Sequence, residues 1–324
     1  EVEKEQSVLE EKAYRDTWGV AKEERDKGVQ PLDKYLKWFY EAAVLLHELL
    51  TEDGSMYVHI EPDIGNYVRP ILDEIFGPSG LRTEIAWKRT SSHGNVSRSF
   101  GEIWECIFYY TKSPENWAWN QQYVEFDPDY VEKHFTGKDP DGRRWTTSDL
   151  VNPDYRPNLV YEFKGYKPHR NGWKISPQKM EELDRQGRLY YPKDKTGRIR
   201  LKRYLNETPG QIAQNIWLDI APINSQAHEA VGYATQKPEA LLQRIIKTSS
   251  NEGDLVLDCF LGSGTTAVVA EKLNRRWVAC DLGRFAIHTT RKRLLEVSGL
   301  RPFVVQNLGK YERQAWQAAE FAEP

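Results

Sequence analysis

Along LDKYLKWFYEAAVLLHELL (32–50) apolar side chains return every three to four positions. Leu32, Tyr35, Leu36, Phe39, Ala42, Ala43 and Leu46 fall on one helical face. The spacing predicts an amphipathic helix. EDGSMYVHI then reads as a turn and a strand, and NYVRPILDEIFG as a helix closing on Gly77. LRTEIAWKRT and EIWECIFYYTK follow as two strands, with the polar loop SSHGNVSRSFG between them. The first 112 residues thus run helix, strand, helix, strand, strand.

From 113 to 215 the periodicity dissolves. Pro, Gly, Trp, Tyr and basic residues interleave, as in YRPNLVYEFKGYKPHRNGWKISPQKM, with one short helix near 176–186. So many aromatics predict an inserted module of short strands and loops, not a disordered tether. Regularity returns with QKPEALLQRIIKTSS, a helix with Pro238 in its first turn. GDLVLDCFLGSGTTAVVAEKL is strand, glycine loop and helix; RRWVACDLG is a strand ending in an acid. RFAIHTTRKRLLEVSG is a second helix and RPFVVQNLG a third strand. This alternation predicts a βαβαβ half-sheet of the doubly wound α/β class.

Composition changes the picture little. Of 324 residues 39% are hydrophobic and 12% aromatic, enough for a packed core. No apolar run reaches 18 residues and no signal-peptide pattern is present, so the sequence predicts no membrane span. Cys106, Cys259 and Cys280 lie in apolar, strand-like runs without paired spacing. They read as free, buried thiols of a cytoplasmic protein. Net charge is −3, but Lys138 to Arg203 holds 17 Lys/Arg against 9 Asp/Glu. Such a basic region fits a polyanionic partner or a solvated surface. His59 and Glu61 form an H-x-E with no P-C-x-x-C after it, so a zinc deaminase is not indicated. No other His/Cys spacing predicts a metal.

The chemistry is concentrated in the glycine turn. Gly262-x-Gly264-x-x-Ala267, with Asp281 at the end of the next strand, satisfies a loose dinucleotide pattern, and an NAD-dependent oxidoreductase is one reading. Two features favour S-adenosylmethionine. Asp258 ends the first strand four residues before Gly262, where its charge repels a pyrophosphate but suits a ligand carrying an amino group and a sulfonium. A nicotinamide domain also usually opens its chain with this unit, which here comes last.

DCFLGSGTT resembles the D-P-F-x-G-S-G-T-T motif of β-class DNA amino-methyltransferases, with Cys259 in place of the usual proline. GYATQKPEALLQRII (232–246) looks like the segment preceding that motif in the class. EEKAYRDTW (10–18), GSMYVHI (54–60) and NIWLDI (215–220) bring the chain close to the Mod-like adenine methylases of type III restriction-modification systems. The resemblance implies a Rossmann-like, S-adenosylmethionine-dependent methyltransferase fold, circularly permuted. Residues 1–112 are its catalytic half, 113–215 a target-recognition insertion, 216–310 the cofactor half and 311–324 a C-terminal extension.

Carried over position by position, the resemblance puts Asp258 near the methionine amino group and Phe260 beside the ligand. Gly262, Ser263 and Gly264 form the turn, and Thr265 and Thr266 open the helix toward the cofactor. Asp281 accepts from ribose hydroxyls; Thr235, Gln236, Lys237 and Pro238 lie near the cofactor carboxylate, where a helix N-terminus also favours an anion. The implied reaction moves a methyl group to the exocyclic amine of a base flipped out of double-stranded DNA, adenine N6 with cytosine N4 as the alternative. Composition offers Arg143, Arg144, Lys164, Lys167, Arg170 and Lys174 as DNA contacts, and Lys88 and Arg89 open the 88–102 loop, which either faces DNA or is a plain hairpin connection. A restriction subunit and a second copy of the chain are partners the resemblance allows.

The family's catalytic motif, Asp/Asn/Ser-Pro-Pro-Tyr/Phe, is absent, since the chain holds no Pro-Pro dipeptide. DPDY (127–130) and NPDY (152–155) are near matches that turn chemistry explains, so the catalytic residues stay unassigned. The expectation is that the strand bearing this motif belongs to an N-terminal part outside the sequence, which leaves the strands around Val58 and Val256 unable to pair with one another. The alternative function is a catalytically incomplete fragment that binds only cofactor or DNA.

Overall fold

The run WECIFYYT lacks the polar alternation of a half-exposed strand, and a strand reads that way when both its faces are covered. The structure, a computed structural model, describes residues 30–90, 98, 100–224 and 226–307. In it this run is strand β3 (Trp104–Thr111), inside a sheet of order β1-β3-β2-β10. Its neighbours are β1 (Ser55–Ile60) and β2 (Leu81–Lys88), both antiparallel to it; β10 (Ile216–Trp217) runs parallel to β2. Cys106, Phe108 and Tyr110 face helices α1 (Pro31–Leu49) and α2 (Pro62–Phe76), meeting Phe39, Ala43, Val68 and Leu72. Ile107 and Tyr109 point the other way, toward Trp87, Trp217 and Leu241 of helix α5 (Glu239–Ser249). The predicted order of elements up to residue 112 is the observed one. Helix α2 starts earlier than expected, because Pro62 supplies a preorganised first turn.

The chain divides into two units, one formed by the segments up to Asn120 and from Asn215 onward, the other by 121–214. Asn120 belongs to the first because its side chain donates to the Lys247 and Ser250 carbonyls at the end of α5. The first unit also holds a parallel pair, β11 (Leu255–Asp258) and β12 (Arg276–Ala279), bridged by helix α6 (Thr265–Lys272) and followed by α7 (Arg284–Leu295). Val256, Trp277 and Ala279 turn toward α5, α6 and α7, whereas Leu255, Leu257 and Val278 are exposed. Among the described residues this pair shares no strand pairing with the four-stranded sheet.

Three expectations are corrected here. The segment 301–307 is not a strand: Arg301 is clamped by Glu271 and Phe303 packs on Trp277, which holds it against α6 and β12 without joining the pair. Of the cysteines only Cys106 is buried; Cys259 is half-buried and Cys280 exposed, since both follow strand ends that open to solvent. Pro238 is the N-cap of α5, not a first-turn residue.

Unit 121–214 has its own core. Trp173, Met180, Ile199 and Leu189 pack under an antiparallel sheet of order β5-β6-β8-β7, comprising Gly137–Lys138, Arg144–Asp149, Arg200–Tyr204 and Leu189–Tyr190. Strands β4 (Tyr123–Val124) and β9 (Gln211–Ile212) pair at its chain ends. Helix α3 (Pro128–His134) is capped by Asp127, whose carboxylate accepts from the Asp129 and Tyr130 amides. That occupies the DPDY stretch as a helix start. Helix α4 (Pro177–Arg185) is capped by Ser176. Among the described residues no helix is long and apolar enough to cross a membrane. The 10–18 motif, loop residues 91–97 and the 311–324 extension lie outside the described residues.

Candidate ligand site at the glycine turn

Strand β11 delivers Asp258 to the carboxyl end of the parallel pair, and the turn that follows needs backbone that only glycine adopts freely. Gly262 has φ 55° and Gly264 φ 83°. A Cβ on Gly264 would also run into the Thr290 side chain of α7. The turn is pinned from beneath by Arg293, which is 5% exposed and donates to the Ser263 carbonyl and the Thr265 hydroxyl, both at 3.0 Å. Its other nitrogen pairs with Glu239 at the start of α5.

Two carboxylates flank the turn. Asp258 accepts from the Phe260 amide (3.0 Å) and the Thr266 hydroxyl; burial, with Asp281 nearby, raises its pKa. Asp281 lies two residues beyond β12 and accepts from the Gly262 and Gly283 amides at 2.8 and 2.7 Å. Each of its oxygens keeps a lone pair for a further donor. Neither carboxylate has an ion-pair partner among the described residues. Phe260 is 59% exposed, with Trp38 set edge-on to it at 5.6 Å.

The sequence-derived residues divide into those that line the turn and those that build it. Ser263 and Thr265 are buried, and the Thr265 hydroxyl donates to the Lys237 carbonyl at 3.0 Å. Gln236 is likewise committed: its amide donates to the Glu229 carbonyl and its oxygen accepts from the Val231 amide, closing the 229–236 turn. Pro238 is buried and Thr235 exposed. Lys237 remains half-buried, held by its own carbonyl at one end and by Glu105 at the other.

Glu105 was not singled out from the sequence, although a lone acid inside IWECIFYY was the available signal. It is 5% exposed; one oxygen takes Arg89 at 2.9 Å and the other Lys237 at 3.0 Å, with His59 Nε2 in contact with the latter. Burial works against its ionisation, but His59 and Lys237 outweigh that and hold its pKa down to about 2. Burial in turn lowers the pKa of His59 against the opposing pull of Glu105, and Lys237 and Arg89 add to the lowering. Among the described residues no group of His, Cys, Asp or Glu side chains could hold a metal ion.

The proposed DNA contacts also divide. Arg143 is paired with Asp141 and lies over Tyr204, Arg144 is paired with Glu132, and Lys164 with Asp184. Lys167, Arg170 and Lys174 are exposed and form no ion pair among the described residues. Among the described residues Arg200 and Arg203, which composition had not picked out, donate to the hydroxyls of Thr147 and Ser148 and form no ion pair. Lys88 ends β2, half-buried, and Arg89 is bound to Glu105.

Known proteins resemble this chain along most of its length. Residues 16–292 match the model of the DNA methylase family, N6/N4 type. The Type II methyltransferase M.EcaI of Enterobacter cloacae is 31% identical over 80% of this chain and 57% of its own length. For M1.MboII of Moraxella bovis, also a Type II methyltransferase, the figures are 42%, 77% and 75%. The Type III restriction-modification enzyme StyLTI Mod subunit of Salmonella typhimurium is 26% identical over 86% of this chain and 46% of its own length. Among solved structures, the M1.HpyAVI–SAM complex aligns with a TM-score of 0.44 at 18% identity, covering 82% of this chain and 83% of that one. The chain spans about half the length of M.EcaI and the StyLTI Mod subunit. On the strength of a family match across residues 16–292, the chain belongs to the N6/N4 DNA methylases.

Proposed function

We propose that this chain binds S-adenosylmethionine at the 258–266 turn and serves methyl transfer to the exocyclic amine of a flipped base in double-stranded DNA, adenine N6 in preference to cytosine N4. One observation carries the cofactor reading. Two carboxylates without ion-pair partners among the described residues, Asp258 and Asp281, flank a positive-φ glycine turn, and the Lys237 ammonium lies on the segment bonded to that turn. That donor set is complementary to a ligand with an ammonium, a sulfonium, a carboxylate and ribose hydroxyls. A pyrophosphate would meet two negative charges instead.

The cofactor supplies an activated methyl group when bound. The chain's residues do the positioning. Asp258, whose ionisation burial disfavours, gains a cation to face; Asp281, already oriented by two amides, presents lone pairs to hydroxyls. Lys237 takes the carboxylate, and Phe260 offers an apolar face. Unit 121–214 is the reader of DNA, with Lys167, Arg170, Lys174, Arg200 and Arg203 on phosphates. A restriction subunit is the protein partner that the Mod-type relative suggests, and a homodimer is a further assembly this reading allows.

Calorimetric titration of the chain with S-adenosylmethionine tests the cofactor reading. Saturable binding is expected, abolished in Asp258→Ala with the fold intact, and NADH should give no heat. NADH binding without a response to S-adenosylmethionine would overturn it. For DNA, removing Lys167, Arg170 and Lys174 together should lower the salt slope of binding by about 2–3, and removing the acid-paired Arg143, Arg144 and Lys164 by less.

A further inference from the structure

Glu105 is a buried carboxylate shared by two cations from different parts of the first unit. Arg89 follows β2; Lys237 precedes α5. Buried charge survives only where it is compensated, and here one carboxylate faces two permanent cations, the Arg89 guanidinium and the Lys237 ammonium. Lys237 is thereby fixed at both ends. Thr265, the first residue of α6, donates to its carbonyl, and Glu105 accepts from its ammonium. The lysine has four rotatable side-chain bonds, and left free it would sample solvent. Instead it is 32% exposed, and among the described residues one N–H is spent on Glu105 and two remain.

We infer that Glu105 is a positioning residue for the cofactor: acting through Lys237, it holds an ammonium ready for the ligand's carboxylate. The inference rests on the S-adenosylmethionine reading above and adds a residue to it that touches no ligand. It accounts for a charged side chain in an inner strand of the sheet, where an apolar residue would pack without a partner. It also accounts for the excess of positive charge left around that carboxylate, which is what an incoming anion requires.

The test is a double-mutant cycle read by S-adenosylmethionine affinity, with Lys237 amine acylation mapped by mass spectrometry as a second readout. Glu105→Gln should weaken binding roughly tenfold, the worth of one charge-assisted contact, and raise the acylation rate of Lys237. In a Lys237→Ala background the same change should have no further effect. Glu105→Asp, which keeps the charge but is shorter, should recover part of the affinity. Equal losses in both backgrounds would mean that Glu105 acts only on the fold, and would overturn the inference. Should Glu105→Gln not fold, the unaltered chain still decides. Lys237 should acylate several-fold slower than exposed Lys174, and slower again with S-adenosylmethionine present; equal rates for the two lysines overturn the inference. If the unaltered chain binds no S-adenosylmethionine, the cofactor reading fails and this inference with it. Binding with an additive cycle sinks the inference alone.

Discussion

The two sheets of the first unit solve the same problem differently. In β1-β3-β2-β10 every position of β3 from Glu105 to Thr111 is buried, and its one acid is neutralised by cations. In the β11–β12 pair alternate residues face solvent, and the two acids flanking its turn have no cation among the described residues. In the first sheet β3 is covered on both faces and its acid is paired from within. The second is left open on one face and at its carboxyl end, which is where parallel α/β sheets take ligands. Stability should therefore concentrate in the first sheet and ligand affinity in the second.

The largest effect that could break this contrast is in the core. Ile107, 0% exposed, meets α5-side residues on one face of β3, and Ile107→Ala should cost about 2–5 kcal/mol in chemical denaturation. Leu257→Ala, at a position 40% exposed on β11, should cost under about 1 kcal/mol. Equal losses would mean that the exposed face of β11 is covered in solution, and the contrast would fail.

Next in size is the turn itself. Gly264→Ala places a side chain at φ 83° and against Thr290, so about 1–3 kcal/mol of stability should be lost together with cofactor affinity. Thr290→Ala in the same chain should return only part of the loss, because the Cβ of residue 290, 2.8 Å from the added one, and the positive φ both remain. Full rescue of the melting temperature would show that the backbone there is not strained.

How far these features were legible depends on what kind of signal each leaves. The helix over 31–49 and the three strands around it were readable because periodicity of 3.6 or a continuous apolar run reports burial directly. The turn was readable because its glycines and Asp258 sit at fixed spacing. RPFVVQNLG was misread for the same reason: it is apolar enough for a strand, but strand formation also needs a paired edge, and Glu271 binds Arg301 instead. Thr265 and Gln236 were assigned to the ligand by motif position, yet their hydroxyl and amide go to the Lys237 and Glu229 carbonyls. Glu105 escaped because its partners, His59, Arg89 and Lys237, are 46, 16 and 132 residues away. Three-dimensional charge pairing has no periodicity.

The smallest effects should separate the two sheets by sign. Glu105 has a folded pKa of about 2 against an ordinary 4.5, so its contribution is complete above pH 4.5 and is lost as pH falls toward 2. Glu105→Gln should therefore destabilise at pH 7, on the order of 1–3 kcal/mol, and progressively less in acid. Asp258 is the reverse case: burial raises its pKa above the ordinary 3.8, so the charged form penalises the fold once pH has risen through the folded pKa. Asp258→Asn keeps an oxygen for the Phe260 amide and removes that penalty. It should stabilise the ligand-free chain at pH 7 by about 0.5 kcal/mol, with no gain below pH 3.8, while cofactor binding is lost. Urea denaturation at pH 7 and pH 3 reads both signs. If Asp258→Asn instead destabilises at pH 7, that carboxylate is already compensated, and the open end of the second sheet is not the uncompensated anion site that a cationic ligand would need.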